Sequence, residues 1–224
     1  MNLRTKCIPL FLPLAIAAVF RYNLFVNKFV NESVNTMREA NHARGAQTRR
    51  KILSASAKVF LQKGYAGASS REVAELAGVS NGSPFYLYGN KEGVLLELVQ
   101  SMFENQFGTA RKIAGADAAP VLVYTVETAI QMTLTELNEN LRDIYLEAYT
   151  QPQCTEYIFQ HTAAELKGIF GPYLPEAQES DFYELEIGSA GIMRAYMAKR
   201  CDVYFPLERK LERFLRMSLA AYRV

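Results

Sequence analysis

The segment Ser69–Lys91, SSREVAELAGVSNGSPFYLYGNK, constrains the fold more than any other part of the chain. Ser69 is followed three residues on by Glu72, the spacing of a capping box, in which each side chain satisfies a backbone N–H left over at a helix start. Val73, Ala74, Leu76 and Ala77 then give a short apolar face, and Ala74 is small enough for another helix to approach closely. Gly78 falls where a helix needs a left-handed stop. Val79 plugs the corner, and Ser80 is placed to cap a second helix beginning at Asn81. Two short helices joined by a glycine turn form a helix-turn-helix, whose second helix enters the major groove of DNA with its first residues at the base edges.

The second helix is unlike a core helix, because Asn81, Gly82, Ser83, Phe85, Tyr86 and Tyr88 crowd polar and aromatic groups onto it. Pro84 inside it predicts a bend, with one early backbone hydrogen bond lost. Gly89 and Asn90 end it, and Asn90 caps a further helix whose first residue is Lys91. A helix N-terminus with a lysine beside it suits a phosphate.

At these residues the chain resembles the N-terminal domain of the TetR family of one-component bacterial transcription regulators. The shared pattern is an upstream helix ending in Phe60-x-x-x-Gly64-Tyr65, a capped helix with the tail Ala74-x-x-Ala77-Gly78-Val79-Ser80, and the closing run Phe85 to Glu92. The match spans Thr48 to Leu98. Phe85 stands where the family usually has tyrosine, so a phosphate-directed hydroxyl is missing there unless Tyr86 or Tyr88 replaces it. Pro84 stands where aliphatic residues are usual.

The resemblance implies an all-α, TetR-like fold: an N-terminal three-helix helix-turn-helix DNA-binding domain and a C-terminal helical ligand-binding and dimerisation domain. The corresponding limits here are residues 37–92 and 93–224. It implies a cytoplasmic homodimer on double-stranded operator DNA, with recognition helices about 34 Å apart. It further implies a repressor released by an apolar or aromatic small-molecule effector, with no cofactor and no catalysis. The residues so assigned to DNA are Arg44, Thr48, Arg49, Ser69, Ser70, Asn81, Gly82, Ser83, Phe85, Tyr86 and Lys91.

Charge is consistent with this division. The net charge is only +2, but residues 1–114 hold 15 Lys and Arg against 7 Asp and Glu, and residues 115–224 hold 10 against 16. A basic half beside an acidic half fits a DNA-contacting domain joined to something else, although chance drift in surface charge gives the same pattern. Residues 38–51 are a basic lead-in, either a solvated arm or a phosphate-contacting one. A helix then runs to Lys63 with Ile52, Ala55, Val59 and Phe60 on one stripe. Residues 1–36, with an apolar run from Cys7 to Phe20, stand apart. They are an upstream stretch before a start at Met37, a poorly ordered extension, or a signal or anchor. The third choice would make the chain a membrane-tethered helical small-molecule-binding protein.

Beyond the linking helix Lys91–Lys112 and the break GADAAP, the body reads as helices, with a loop from Tyr173 to Ser180. The last two helices, Asp181–Arg200 and Pro206–Tyr222, are expected to pair with a second copy through Gly188, Ile192, Leu211, Phe214, Leu215 and Ser218, or to face an internal core. Tyr124, Met132, Tyr145, Tyr149, Tyr157, His161 and Met193 are the expected effector-pocket set, and an aromatic stripe is equally the signature of plain core. The carboxylates of the acidic half read as solvated helix faces. Two histidines, His42 and His161, and three cysteines, Cys7, Cys154 and Cys201, have no metal-binding spacing. No phosphate-binding glycine loop, nucleophile elbow or HExxH is present in the sequence.

Overall fold

The computed structural model describes residues 43–224, with side chains from Gly45 onward. The expectations for residues 1–36 and for the Arg44 side chain lie outside the described residues. The described residues form the helices α1 (Ala43–Gly67), α2 (Ser70–Ala77), α3 (Ser83–Tyr88), α4 (Lys91–Ala114), α5 (Pro120–Leu137), α6 (Glu139–Ala148), α7 (Pro152–Phe170), α8 (Glu179–Ala198) and α9 (Leu207–Ala221). Among the described residues there is no strand.

The head follows from local chemistry. Ile52, Ala55, Val59 and Phe60 bury the inner face of α1. Gly64 then leaves helical geometry at φ 73°, ψ 166° and turns Tyr65 back so that its ring meets Phe60 edge-on at 5.3 Å. The capping box is present at Ser69 and Glu72, and Gly78 stops α2 in the left-handed region at φ 66°. Asn90 caps α4 by accepting from Gly93 N at 2.9 Å.

The second helix of the motif begins later than expected. α3 starts at Ser83, not Asn81, and its N-cap is Gly82, not Ser80. Proline explains the shift. A helix start has N–H groups with no partner, so a residue lacking N–H is harmless there and disruptive one turn later. Beginning at Ser83 puts Pro84 in the first turn, so this short helix loses no interior bond to it. Ser80 instead closes the preceding turn, its carbonyl accepting from Ser83 N at 2.9 Å and its hydroxyl sharing a 2.8 Å bond with Ser83.

Head and body are not separate cores. The head core of α1, α2 and the first half of α4 continues into Ile144 and Ala148 of α6 and Cys154 and Ile158 of α7. α1 lies along α6, where Asn140 Nδ2 donates to the Leu61 carbonyl at 2.9 Å. A Cβ on Gly64 would stand 3.3 Å from Asn140 Oδ1.

The body packs around α5, which is buried on every side from Val123 to Thr135. Its middle carries Glu127, 5 % exposed, and α8 contributes Glu186, also 5 % exposed. These two acids correct the reading of the acidic half as solvated faces, since both lie inside the helix bundle. Burial pushes the Glu127 carboxyl up to about 8, against a smaller lowering by Gln131. Burial, reinforced by Glu127, also pushes Glu186 well above the ordinary carboxylate value. A second correction concerns α9. Leu211, Phe214, Leu215 and Ser218 are buried within the chain itself, Phe214 at 0 % exposure, so this stripe faces its own core and not a second copy.

Two stability measurements follow. The Gly64 conformation lies in a region essentially restricted to glycine, so Gly64→Ala should cost about 1–3 kcal/mol in urea unfolding. The buried acids set the pH dependence. A carboxyl whose folded value is raised above its unfolded one stabilises fully below the unfolded value, and the contribution is lost as pH rises through the folded value. For Glu127 that window runs from 4.5 to about 8. The unfolding free energy should therefore fall across this range by an amount on the order of a few kcal/mol, and Glu127→Gln should flatten the fall.

Candidate DNA-binding face and effector chamber

α3 presents an exposed face on a fixed base. Tyr86 is 90 % exposed and Phe85 54 %, and Ser80, Asn81 and Gly82 beside them are exposed as well. Two large aromatic groups in water beside small polar ones mark a contact surface, not a solvated one. The opposite side of α3 is anchored by buried Pro84 and Tyr88. Tyr88 donates its hydroxyl to the Arg49 carbonyl at 3.1 Å, and the Arg49 guanidinium lies 4.8 Å above the Tyr88 ring. Arg49 Nε also donates to Glu97 Oε2 of α4 at 2.8 Å, and this bond raises the guanidinium further above its ordinary value. Arg49, expected on DNA, is thus turned toward α4 and locks α1, α3 and α4 together.

The other expected DNA residues divide similarly. Ser69 is exposed but donates its hydroxyl to Glu72 Oε2 at 2.8 Å, so its first task is the cap. Lys63 bonds the same Glu72, and together with Ser69 it holds that carboxyl down at about 2. Lys91 donates to the Ala68 carbonyl at 3.0 Å with its ammonium 4.3 Å over the Tyr65 ring, which ties the start of α4 to the loop before α2. Thr48, Ser70 and Ser83 are half-buried. Tyr88, offered by the sequence as a phosphate-directed hydroxyl, is instead buried with that hydroxyl on the Arg49 carbonyl, and Pro84 and Glu97 were not singled out as supports of the face. Their roles depend on contacts between helices that spacing along one helix does not reveal.

Inside the body, α4 to α8 line a partly open chamber with about 30 Å³ of free space. Of the expected pocket residues, Tyr124, Tyr149 and Met193 line it. Met132 and Tyr145 are core side chains away from its wall, at 1 % and 5 % exposure. Tyr157 and His161 stack on each other at 5.5 Å, and His161 Nε2 donates to the Phe103 carbonyl at 3.1 Å. His161 lines instead an open cleft of about 500 Å³ between the end of α4, the start of α5 and α7, where Arg111 pairs with Glu165 at 2.5 Å.

The chamber's polar lining was missed from the sequence. Glu127, Thr128 and Gln131 project from α5, Thr162 from α7, and Glu186 and Ser189 from α8. Gln131 Nε2 bonds Glu127 and donates to Gln106 Oε1 at 3.2 Å, whereas Gln131 Oε1, Thr128 Oγ1 and Thr162 Oγ1 have no partner. The available signal was polar residues recurring without helical sidedness along a segment otherwise apolar enough to be central.

Among the described residues, no group of three or more His, Cys, Asp or Glu is placed to hold a metal ion, and no helix is long and apolar enough to cross a membrane. Of the expected dimer residues, Gly188 is exposed and Ile192 half-buried; exposed Ile187 and Met217 lie on the outer faces of α8 and α9.

Comparison with known proteins agrees with this geometry. Residues 52–98 match the family described as bacterial regulatory proteins, tetR family. The chain is 25 % identical over 180 residues to the uncharacterized HTH-type transcriptional regulator YvkB of Bacillus subtilis (strain 168), covering 74 % of this chain and 92 % of that protein. It is 24 % identical over 153 residues to the probable HTH-type transcriptional regulator YttP of the same strain, covering 67 % and 68 %. It is 27 % identical over 85 residues to the HTH-type transcriptional repressor KstR2 of Rhodococcus jostii (strain RHA1), covering 37 % and 42 %. Among solved structures, the fold is shared with Thermus thermophilus FadR, a TetR-family transcriptional repressor in complex with lauroyl-CoA, at TM-score 0.58 and 21 % identity over 76 % of this chain and 93 % of that one. A capped helix-turn-helix whose aromatic face stands free and a helical body behind it are what this chain shares with the DNA-binding transcriptional regulators of the tetR family, to which it is similar over residues 52–98.

Proposed function

We propose that the protein is a cytoplasmic repressor that holds operator DNA as a homodimer and releases it when a small molecule enters the chamber of the body. The observation that carries this reading is the continuity between the two sites. Tyr149, at the C-terminal end of α6, lines the chamber and packs against both the head core and the body core. α6 in turn bears directly on α1. A ligand that moves Tyr149 moves the helix on which the head is seated. Coupling of about 1–3 kcal/mol between the sites would change DNA affinity roughly 5–150-fold. KstR2 is a repressor and FadR is a repressor seen in complex with lauroyl-CoA, which supports repression and a small-molecule effector in general terms.

On DNA, Asn81, Gly82 and Tyr86 are assigned to base edges, with Phe85 against an apolar base edge or the sugar backbone. Lys91, Thr48, Ser69 and Ser70 are assigned to phosphates at the rim. The second copy would dock on the outer faces of α8 and α9, around Ile187, Gly188, Gly191 and Met217. Function is by binding and not by catalysis.

Gel-shift titrations on the DNA upstream of the protein's own gene test the reading. Tyr86→Ala should weaken specific binding by about 1–3 kcal/mol and change the ranking among operator variants, with thermal stability unaltered because the side chain is exposed. Unchanged affinity and ranking would remove Tyr86 from the interface. Tyr149→Ala should leave ligand-free DNA affinity within a few-fold while reducing the loss of affinity caused by whichever effector the wild type answers to; an undiminished response would break the proposed route through α6.

A further inference from the structure

The chamber contains two acids that the regulatory reading does not use. Glu127 and Glu186 face one small cavity from α5 and α8, both almost wholly buried. Neither has a cation as neighbour: the influences on Glu127 are burial and Gln131, and those on Glu186 are burial and Glu127. Burying unpaired carboxyls costs stability, and as a rule they are paired or held neutral.

The rest of the lining shares this bias. Gln131 Oε1, Thr128 Oγ1 and Thr162 Oγ1 are without partners in side chains at least nine-tenths buried. The lining's two amides are Gln131, whose Nε2 is engaged by Glu127 and by Gln106 Oε1, and Gln106 itself. The remaining polar groups are hydroxyls, which donate or accept, so no fixed positive charge faces the two acids. Around them stand the rings of Phe103, Tyr124 and Tyr149, whose faces attract cations, and flexible Met193. The free space of about 30 Å³ holds a group the size of an ammonium, and the chamber is open on one side, where the rest of a ligand can extend.

From this arrangement we propose that the ligand of the chamber is an amine, its ammonium group seated between Glu127 and Glu186 and its apolar body laid against Tyr124, Tyr149 and Met193. The assignment rests on the reading of this chamber as the effector site and names the chemical class it takes. The exchange balances as follows. In the free protein the Glu127 and Glu186 carboxyls hold their protons. When an alkylammonium ion enters, one carboxyl O–H breaks, its proton leaves for solvent, and the ammonium N–H groups donate to the carboxylate so formed. No bond to carbon changes, and one proton is released for each amine bound. Tyr124, Tyr149 and Tyr222 are the other titratable groups close enough to affect the pair. Burial raises all three phenols, so they remain neutral.

Calorimetric titration of the full-length protein at about pH 7, in two buffers of different ionisation enthalpy, tests this. The probes are hexylamine and phenethylamine, each beside its matched alcohol and carboxylate. Amines should bind at least tenfold tighter than the matched alcohol or carboxylate, with close to one proton released. Glu127→Gln, Glu186→Gln and the double substitution keep size and neutrality and should abolish the preference for amines. Tyr204→Ala, at an exposed residue outside the chamber, should keep the proton release. Equal or tighter binding of the alcohol or carboxylate, amine binding without proton release, an undiminished preference in the double variant, or no amine binding at all would overturn the proposal. The regulatory reading stands or falls separately on the gel shift. Amines that bind with proton release but leave the operator complex intact would support the amine site and remove the effector role of the chamber.

Discussion

The structure depends on one helix that water does not reach. From Val123 to Thr135 every residue of α5 is buried, although this stretch contains Thr125, Glu127, Thr128, Gln131, Thr133 and Thr135. A helix buried all round is ordinarily apolar all round. Here three of the polar groups are satisfied within the helix: Thr125, Thr133 and Thr135 donate to the carbonyls of Val121, Ala129 and Met132 at 2.9, 2.7 and 3.0 Å. That leaves Glu127, Thr128 and Gln131 for the chamber. The helices packed around α5 supply the apolar enclosure, and the polar side of the chamber is the part of α5 that its own backbone does not satisfy.

The same enclosure makes the molecule mechanically continuous. α4 contributes Leu95, Leu98 and Phe103 to the head core and Phe107 and Ala110 to the body core. Leu61, Met102 and Tyr149 pack against both. Packed interfaces shift between discrete arrangements and resist gradual deformation, so a change at the chamber wall tends to move whole helices. α6 is the element placed to carry that motion. At the far end, Arg49 with Tyr88 and Glu97 holds α3 against α1 and α4, so the exposed Tyr86 moves with the head as a unit.

What the sequence revealed and what it hid divide by the range of the interactions. The caps of α2 and α4 were legible because Ser69–Glu72 and Asn90–Gly93 are contacts three residues apart. Gly78 was legible because only its own backbone angle matters. The start of α3 was misplaced because Ser80 is a good cap in isolation, while the position of Pro84 decides the question. The stripe on α9 was visible as Leu211, Phe214, Leu215 and Ser218, but a three- and four-residue repeat shows only that a face is buried. What buries it is long-range information: α9 packs on α5 and α8 of the same chain. Tyr157 and His161 lie away from the chamber's lining, since an aromatic stripe does not say which cavity it borders.

The acids show how much long-range pairing decides. Glu127 and Glu136 sit nine residues apart on α5, and residue type alone makes them equivalent. Burial pushes Glu136 up, but its bonds from Lys210 Nζ at 2.8 Å and Cys201 N at 3.0 Å outweigh that, and its carboxyl lies below the ordinary value. Lys210, 1 % exposed, also donates to the Lys199 carbonyl at 2.5 Å, so this charge fastens α9 and the end of α8 to α5. Glu136 is an ion with its counter-charge built into the chain, and its place in the structure is complete. Glu127 has an amide and a second acid in place of a lysine. One helix therefore carries a carboxylate whose partner is part of the fold and another whose partner, if charged, has to come from outside.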